Sequence, residues 1–161
     1  MAKIKDNKLL SIKFIFLIIQ SLTLFSVGDS FAKTKPDSFV INTNEIGLPL
    51  SSRRQTVTWL PWVVNTRTYE GYFLENIVNA YSLTPPKKVT LSASDGYKFT
   101  IDYMILVKNA ANVIDTVDGE KLPASLGPYW LIMNQSRYPI VGNRYLRRAM
   151  VWQLTKITLH Y

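Results

Sequence analysis

Residues 89–102, VTLSASDGYKFTID, constrain the fold more than any other stretch of the chain. Val89, Leu91 and Ala93 alternate with Lys88, Thr90 and Ser92. Tyr97, Phe99 and Ile101 alternate with Lys98, Thr100 and Asp102. A period of two gives each run one apolar and one polar face, the pattern of a half-buried antiparallel hairpin. Asp95 and Gly96 are expected to supply the positive φ angles of the tight turn between them. Two strands alone are marginal in water, so the rest of the chain must cover the apolar face.

What flanks the hairpin is built to do so. Leu74, Ile77, Val78 and Tyr81 fall at i, i+3, i+4 and i+7, one apolar stripe of an amphipathic helix, and Pro85 and Pro86 bar its continuation. That stripe is a core face, not a ligand site. Residues 39–42 suggest a short strand and 44–54 a loop with Gly47 and Pro49. Residues 56–64, TVTWLPWVV, suggest a strand in which Pro61 marks an edge, a bulge or an end. Residues 103–109 fit either a helical turn or a strand. Asp118 and Gly119 predict a second hairpin turn between 113–117 and 121–122. Residues 129–133 read as a buried strand, 134–148 as a polar, basic, exposed loop, and 151–160 as the last strand. There the apolar parity changes, with Trp152 and Leu154 on one face and Ile157 and Leu159 on the other. Either both faces are covered or a bulge intervenes near Lys156. The expected architecture is α+β, one domain, a mostly antiparallel or mixed β-sheet with one clear amphipathic helix.

The N-terminus reads differently. Lys3, Lys5, Lys8 and Lys13 precede a largely apolar run from 14 to 27, and Ser30, Phe31 and Ala32 form a small-x-small cleavage signature. This is the pattern of a secretory signal peptide over 1–32, followed by an extension and loop over 33–54 and the domain proper over 55–161. The competing reading is a membrane anchor, for which the run is short and interrupted by Gln20, Ser21 and Thr23. No other run approaches a membrane span, so none is expected after cleavage. The expected location is periplasmic or secreted. The chain has no cysteine, which excludes a disulfide, a thiolate nucleophile and a lipid anchor built on cysteine. It carries 19 Lys and Arg against 11 Asp and Glu, a net charge of +8. No recognised nucleic-acid module accompanies that charge, so nucleic acid is not an expected partner.

Several segments in order, TYEGYFL from residue 68, a short helix, SASDGYKFTID, VDGEKLP, GPYWLIM and VWQLTKITL, carry a family resemblance. The series resembles the oxidoreductase molybdopterin-binding domain of the sulfite-oxidase type, and most of all its short, single-domain exported members. The resemblance covers residue 55 to the C-terminus. Its motif positions are Asp95, Gly96, Tyr97, Gly127, Pro128 and Trp152. It implies that family's fold and, in the enzymes, a molybdenum held by a cysteine thiolate in or just after the strand at 56–64. It also implies a Gly-containing loop and a Lys-Trp strand start that touch the pterin.

The chain departs from that pattern in three places. The soft thiolate ligand is missing. Val151 stands where the Lys would be, although Trp152 is retained. The n-region has no Arg pair of the kind that marks export of a folded, cofactor-loaded protein. His160, the one histidine, is the penultimate residue, which disfavours a Ser-His-Asp arrangement. Asp95, Asp102, Asp115, Asp118 and Glu120 offer carboxylates, but nothing in the sequence sets any two at a working distance. No catalytic residue and no metal ligand is therefore assigned.

The remaining candidate is basic and aromatic. Arg137, Tyr138, Arg144, Tyr145, Arg147 and Arg148 lie within twelve residues. Arginine binds carboxylate, sulfate or phosphate with a planar fork, and tyrosine adds a flat contact. An ordinary solvated loop would show the same composition. The leading expectation is an exported, non-catalytic binding or sensing module that takes a small anion or an envelope protein through this region, without a cofactor. The alternative is a periplasmic oxidoreductase that holds molybdopterin without a cysteine ligand. A third reading is a structural subunit of an envelope complex.

Overall fold

A computed structural model describes residues 37–135 and 143–161. Residues 1–32, read above as a signal peptide, and Arg137 and Tyr138 lie outside the described residues. In chain order the elements are β1 (Ser38–Asn42), β2 (Arg54–Thr58), β3 (Arg67–Phe73), α1 (Leu74–Tyr81), β4 (Lys88–Ala93), β5 (Lys98–Asp102) and α2 (Tyr103–Lys108). Then follow β6 (Asn112–Val117), β7 (Glu120–Lys121), β8 (Trp130–Ile132), α3 (Arg144–Ala149) and β9 (Leu154–His160). Short 3-10 turns occupy Thr43–Glu45, Leu50–Ser52 and Ala124–Leu126.

The class is α+β, and every strand pairing among the described residues is antiparallel. One sheet has the order β1-β9-β4-β5. The other runs β2-β3-β6-β7, with β8 also paired to β6. Residues 38–54, which the sequence sets apart as an extension and loop, carry β1 and the first residue of β2, and Ile41 of β1 is buried in the core. One apolar cluster joins the elements: Val89, Leu91, Ile101, Ile157 and Leu159 from the first sheet, Tyr69, Val113, Ile114 and Leu131 from the second, and Leu74, Ile77 and Val78 from α1.

The central hairpin forms as β4 and β5, with Leu91 opposite Phe99 and Thr90 opposite Thr100. Its turn differs from the expectation. Gly96 has φ +90°, but Asp95 does not have a positive φ. The connection is a three-residue loop that ends in a left-handed glycine, and the Asp95 carboxylate accepts a hydrogen bond from the Tyr97 N–H at 2.9 Å. The two-residue turn expected of Asp-Gly occurs instead at Asp118 and Gly119, where both φ angles are positive, +50° and +85°.

The parity change in the last strand is a bulge. Ser92 pairs with Lys156 but Ala93 pairs with Leu154, so one extra residue, Thr155, lets both Leu154 and Ile157 reach the core. β9 starts at Leu154, later than the expected 151, because Gln153 takes φ +51°. β2 ends at Thr58, well short of 64. Pro61 closes that strand, and Leu60 turns inward to near-complete burial. The ambiguous stretch after the hairpin is helical, α2. The expected exposed loop at 134–148 is corrected twice. Gln135 is fully buried, and residues 144–149 form α3, capped by the Asn143 side chain, which accepts from the Leu146 N–H at 3.1 Å.

Gly71 shows how closely the second sheet is packed. The β3–β6 register shifts between Glu70 and Gly71, and a Cβ on Gly71 would lie 2.0 Å from the Val113 carbonyl oxygen.

Candidate functional site

Helix α3 packs on the central hairpin through two rings and one hydrogen bond. The Tyr145 ring meets Phe99 edge-on at 5.3 Å between centroids. The Arg148 guanidinium lies over the Phe99 ring at 4.9 Å. The Tyr97 hydroxyl donates to the Arg148 carbonyl oxygen at 3.0 Å. Ala149 and Met150 bury the C-terminal end of the helix. Exposed side chains are thus carried on a backbone held at both ends, by the Asn143 cap and by this burial.

Arg144, Arg147 and Arg148 stand at i, i+3 and i+4, a spacing that groups side chains on one side of a helix. All three are exposed, and among the described residues none has a carboxylate within salt-bridge distance. The two ion pairs present lie elsewhere, at Arg53–Asp115 and Arg67–Asp118.

Two of the positions that carry the family resemblance, Gly127 and Trp152, lie at Gln153, which also fastens the hairpin turn through Ser94. Ser94, in the hairpin turn before Asp95, donates from its backbone N–H to the Gln153 carbonyl at 3.0 Å, and its hydroxyl donates to the Gln153 side-chain oxygen at 2.6 Å. Gly127, at φ +84°, comes so close to Gln153 that a Cβ would sit 2.5 Å from its Cα. Trp152 stacks on Trp130 with centroids 4.4 Å apart and meets Trp62 at 5.3 Å. Gly127 and Trp152 therefore serve a tightly fitted junction between the 127–130 segment and the start of β9, whereas Asp95, Gly96, Tyr97 and Pro128 are exposed, and the Tyr97 hydroxyl reaches Arg148 instead.

The chemistry of that junction does not match a thiolate-held molybdenum. The chain has no cysteine, and the segment after β2 offers Trp59, Leu60 and Trp62 instead. Two other tryptophans pack against Trp152, the retained motif residue. Among the described residues no group of three His, Asp or Glu side chains could hold a metal ion. The donor set does not fit the cofactor that the resemblance implies.

A polar cluster that the sequence does not reveal lies on the second sheet. Arg53 donates from both terminal nitrogens to Asp115, with the Nη1–Oδ2 bond at 3.1 Å, and also to the Thr116 hydroxyl at 3.2 Å. Its guanidinium lies 5.3 Å from the Tyr72 ring centroid. Burial alone would raise the Asp115 carboxyl pKa, but hydrogen bonds from Arg53 and Thr116 and the charges of Arg53 and Lys121 outweigh it, so it is held below its ordinary value. The hydrogen bond to Asp115 in turn raises the Arg53 pKa. The pair is neutralised internally and fastens the 49–53 segment to β6. Its partners are 62 residues apart, so no local pattern marks it.

His160 is placed by β9 beside Thr90, with Nε2 and Oγ1 2.8 Å apart. Among the described residues no helix is long and apolar enough to cross a membrane. No protein-family model matches the chain, and no curated protein sequence matches it.

Proposed function

We propose that this chain is an exported binding or sensing module, with a sulfite-oxidase-type domain fold and no molybdopterin, that takes a small oxyanion on α3. The observation that carries the reading is the set of three exposed guanidinium groups, at Arg144, Arg147 and Arg148, with no acidic partner among the described residues. Ordinary surface cations are often neutralised by nearby carboxylates, as Arg67 is here by Asp118. Three on adjacent turns of a short, capped helix repel one another, and a doubly charged oxyanion relieves that repulsion. The helix backbone is already ordered, so less ordering entropy opposes binding.

What supports a non-catalytic role is how several of the candidate acid–base groups are already used. The carboxylates Asp95, Asp115 and Asp118 are each committed to a turn or an ion pair, and His160 bonds a threonine. Mapping of arginine side-chain N–H resonances by NMR during a sulfate titration tests the proposal. The Arg144, Arg147 and Arg148 signals are expected to shift and saturate together. Shifts spread over all arginines in proportion to ionic strength would defeat it.

A further inference from the structure

The polar residues that alternate with the core residues of β4, β5 and β9 meet on the outer face of the first sheet. Register places Lys156, Ser92 and Lys98 in one cross-strand row and Thr158, Thr90 and Thr100 in the next. Side chains directly opposite one another on antiparallel strands share a face. Ser92, Lys98, Lys156, Thr90 and Thr158 of these rows, with Val40 and His160, border a shallow depression of about 390 Å³.

Ser92 forms its floor and is 8% exposed, while Lys98 and Lys156 are exposed on either side. Each lysine is directly opposite Ser92 on a neighbouring strand, so the strand of Ser92 lies between the two lysines and their Cα atoms stand roughly 10 Å apart. Long flexible stems let both ammonium groups converge above the serine. Among the described residues neither lysine has a carboxylate within salt-bridge distance. Two cations on either side of a serine hydroxyl can share one anion between them.

The neighbouring row supplies hydroxyls. The His160 Nε2, Thr90 Oγ1 and Thr100 Oγ1 form a chain with both links at 2.8 Å. Hydroxyls both donate and accept, which suits a ligand that carries hydroxyls of its own. Val40, opposite Thr158 at the edge of the face, is the exposed large apolar side chain there, so a lipid is tested directly below.

We propose that this face binds an acidic saccharide, with a carboxylate or sulfate held over Ser92 between Lys98 and Lys156 and the ring hydroxyls along Thr90 and Thr158. This is a different surface from the arginine helix. α3 packs on Phe99, whose side chain points to the core, and Lys98 points the opposite way on the same strand.

Titration calorimetry on the full chain at matched ionic strength tests the inference. The ligands are penta-galacturonate, maltopentaose (hydroxyls without charge), pentaglutamate (charge without hydroxyls), inorganic phosphate and phosphatidylglycerol vesicles. Penta-galacturonate is expected to bind about tenfold or more tighter than each of the others, and the Thr90 and Thr158 methyl resonances should move with it. The double variant K98Q/K156Q should lose about tenfold in that affinity, with an unchanged melting midpoint because both lysines are exposed and unpaired. The triple variant R144S/R147S/R148S should bind the saccharide as the wild type does.

Equal binding of pentaglutamate or of phosphate would reduce the face to a simple charge site and overturn the inference. Preference for vesicles would overturn it in favour of a membrane. If K98Q/K156Q keeps its affinity while the arginine variant loses it, the saccharide belongs on α3. The inference then fails and the arginine reading stands.

Discussion

Gly71→Ala is the substitution whose cost the structure defines most sharply. The new methyl would lie 2.0 Å from the Val113 carbonyl oxygen and 2.6 Å from the Ile114 Cα, where ordinary contact begins near 3.4 Å. Both obstacles are backbone of β6, which pairs with β3, β7 and β8 and cannot swing aside as a side chain does. β3 and β6 must part by about 1.4 Å, enough to break the hydrogen bonds of the nearest register pairs at roughly 1 kcal/mol each. Overpacking adds about 1–3 kcal/mol, for a total near 3–5 kcal/mol. Gly96 provides the control. A Cβ there meets nothing within 4 Å, so Gly96→Ala costs only the strain of φ +90°, about 1–2 kcal/mol. A β-branched residue, Gly96→Val, costs about 1–3 kcal/mol. Urea denaturation of the wild type and the alanine variants measures the differences. If Gly71→Ala costs no more than Gly96→Ala, the close approach of β3 to β6 is wrong.

Three further outcomes are expected. Asp115→Asn should destabilise by about 1–3 kcal/mol, since it leaves Arg53 half-buried without its anion. Because the folded pKa of Asp115 is depressed, its contribution is complete above the unfolded carboxyl pKa and is lost as pH falls through the folded value; melts at neutral pH and at pH near 3 should differ more in the wild type than in the variant. Tyr69 is fully buried, its hydroxyl has no hydrogen-bond partner among the described residues, and burial pushes its pKa up to about 12, so Tyr69→Phe should hold or raise the melting midpoint; a clear loss of stability would reveal a partner for that hydroxyl. Intact-mass analysis of the exported protein should place its N-terminus at Lys33, whereas a retained Met1 in a membrane fraction would show an anchor.

The sequence was most legible where structure is local. The hairpin alternation, the apolar stripe of α1 and the Asp118–Gly119 turn all depend on neighbours a few residues away, and each is present. The bulge near Lys156 was legible as a change of parity, although its site opposite Ser92 and Ala93 required the pairing of β9 with β4. Helix α3 escaped notice because it spans six residues, too few for a full apolar period, and because three of its residues are arginines. Asp95 misled because Asp-Gly fits two turn types, and only the strand register decides between them. The Arg53–Asp115 pair and the Lys156, Ser92, Lys98 row were hidden for one reason: each joins segments about 60 residues apart.

Whether α3 is an oxyanion site is decided by thermal melts in sulfate and in chloride at matched ionic strength, on the wild type and on R144S/R147S/R148S. Specific binding raises the midpoint with ligand concentration by mass action, whereas screening acts alike with any salt of the same strength. One guanidinium in water makes only a weak contact, so all three are replaced together. The account predicts a sulfate-specific rise in the wild type and none in a variant that stays folded. A wild type indifferent to the choice of anion, or a variant that keeps the sulfate preference, would contradict it.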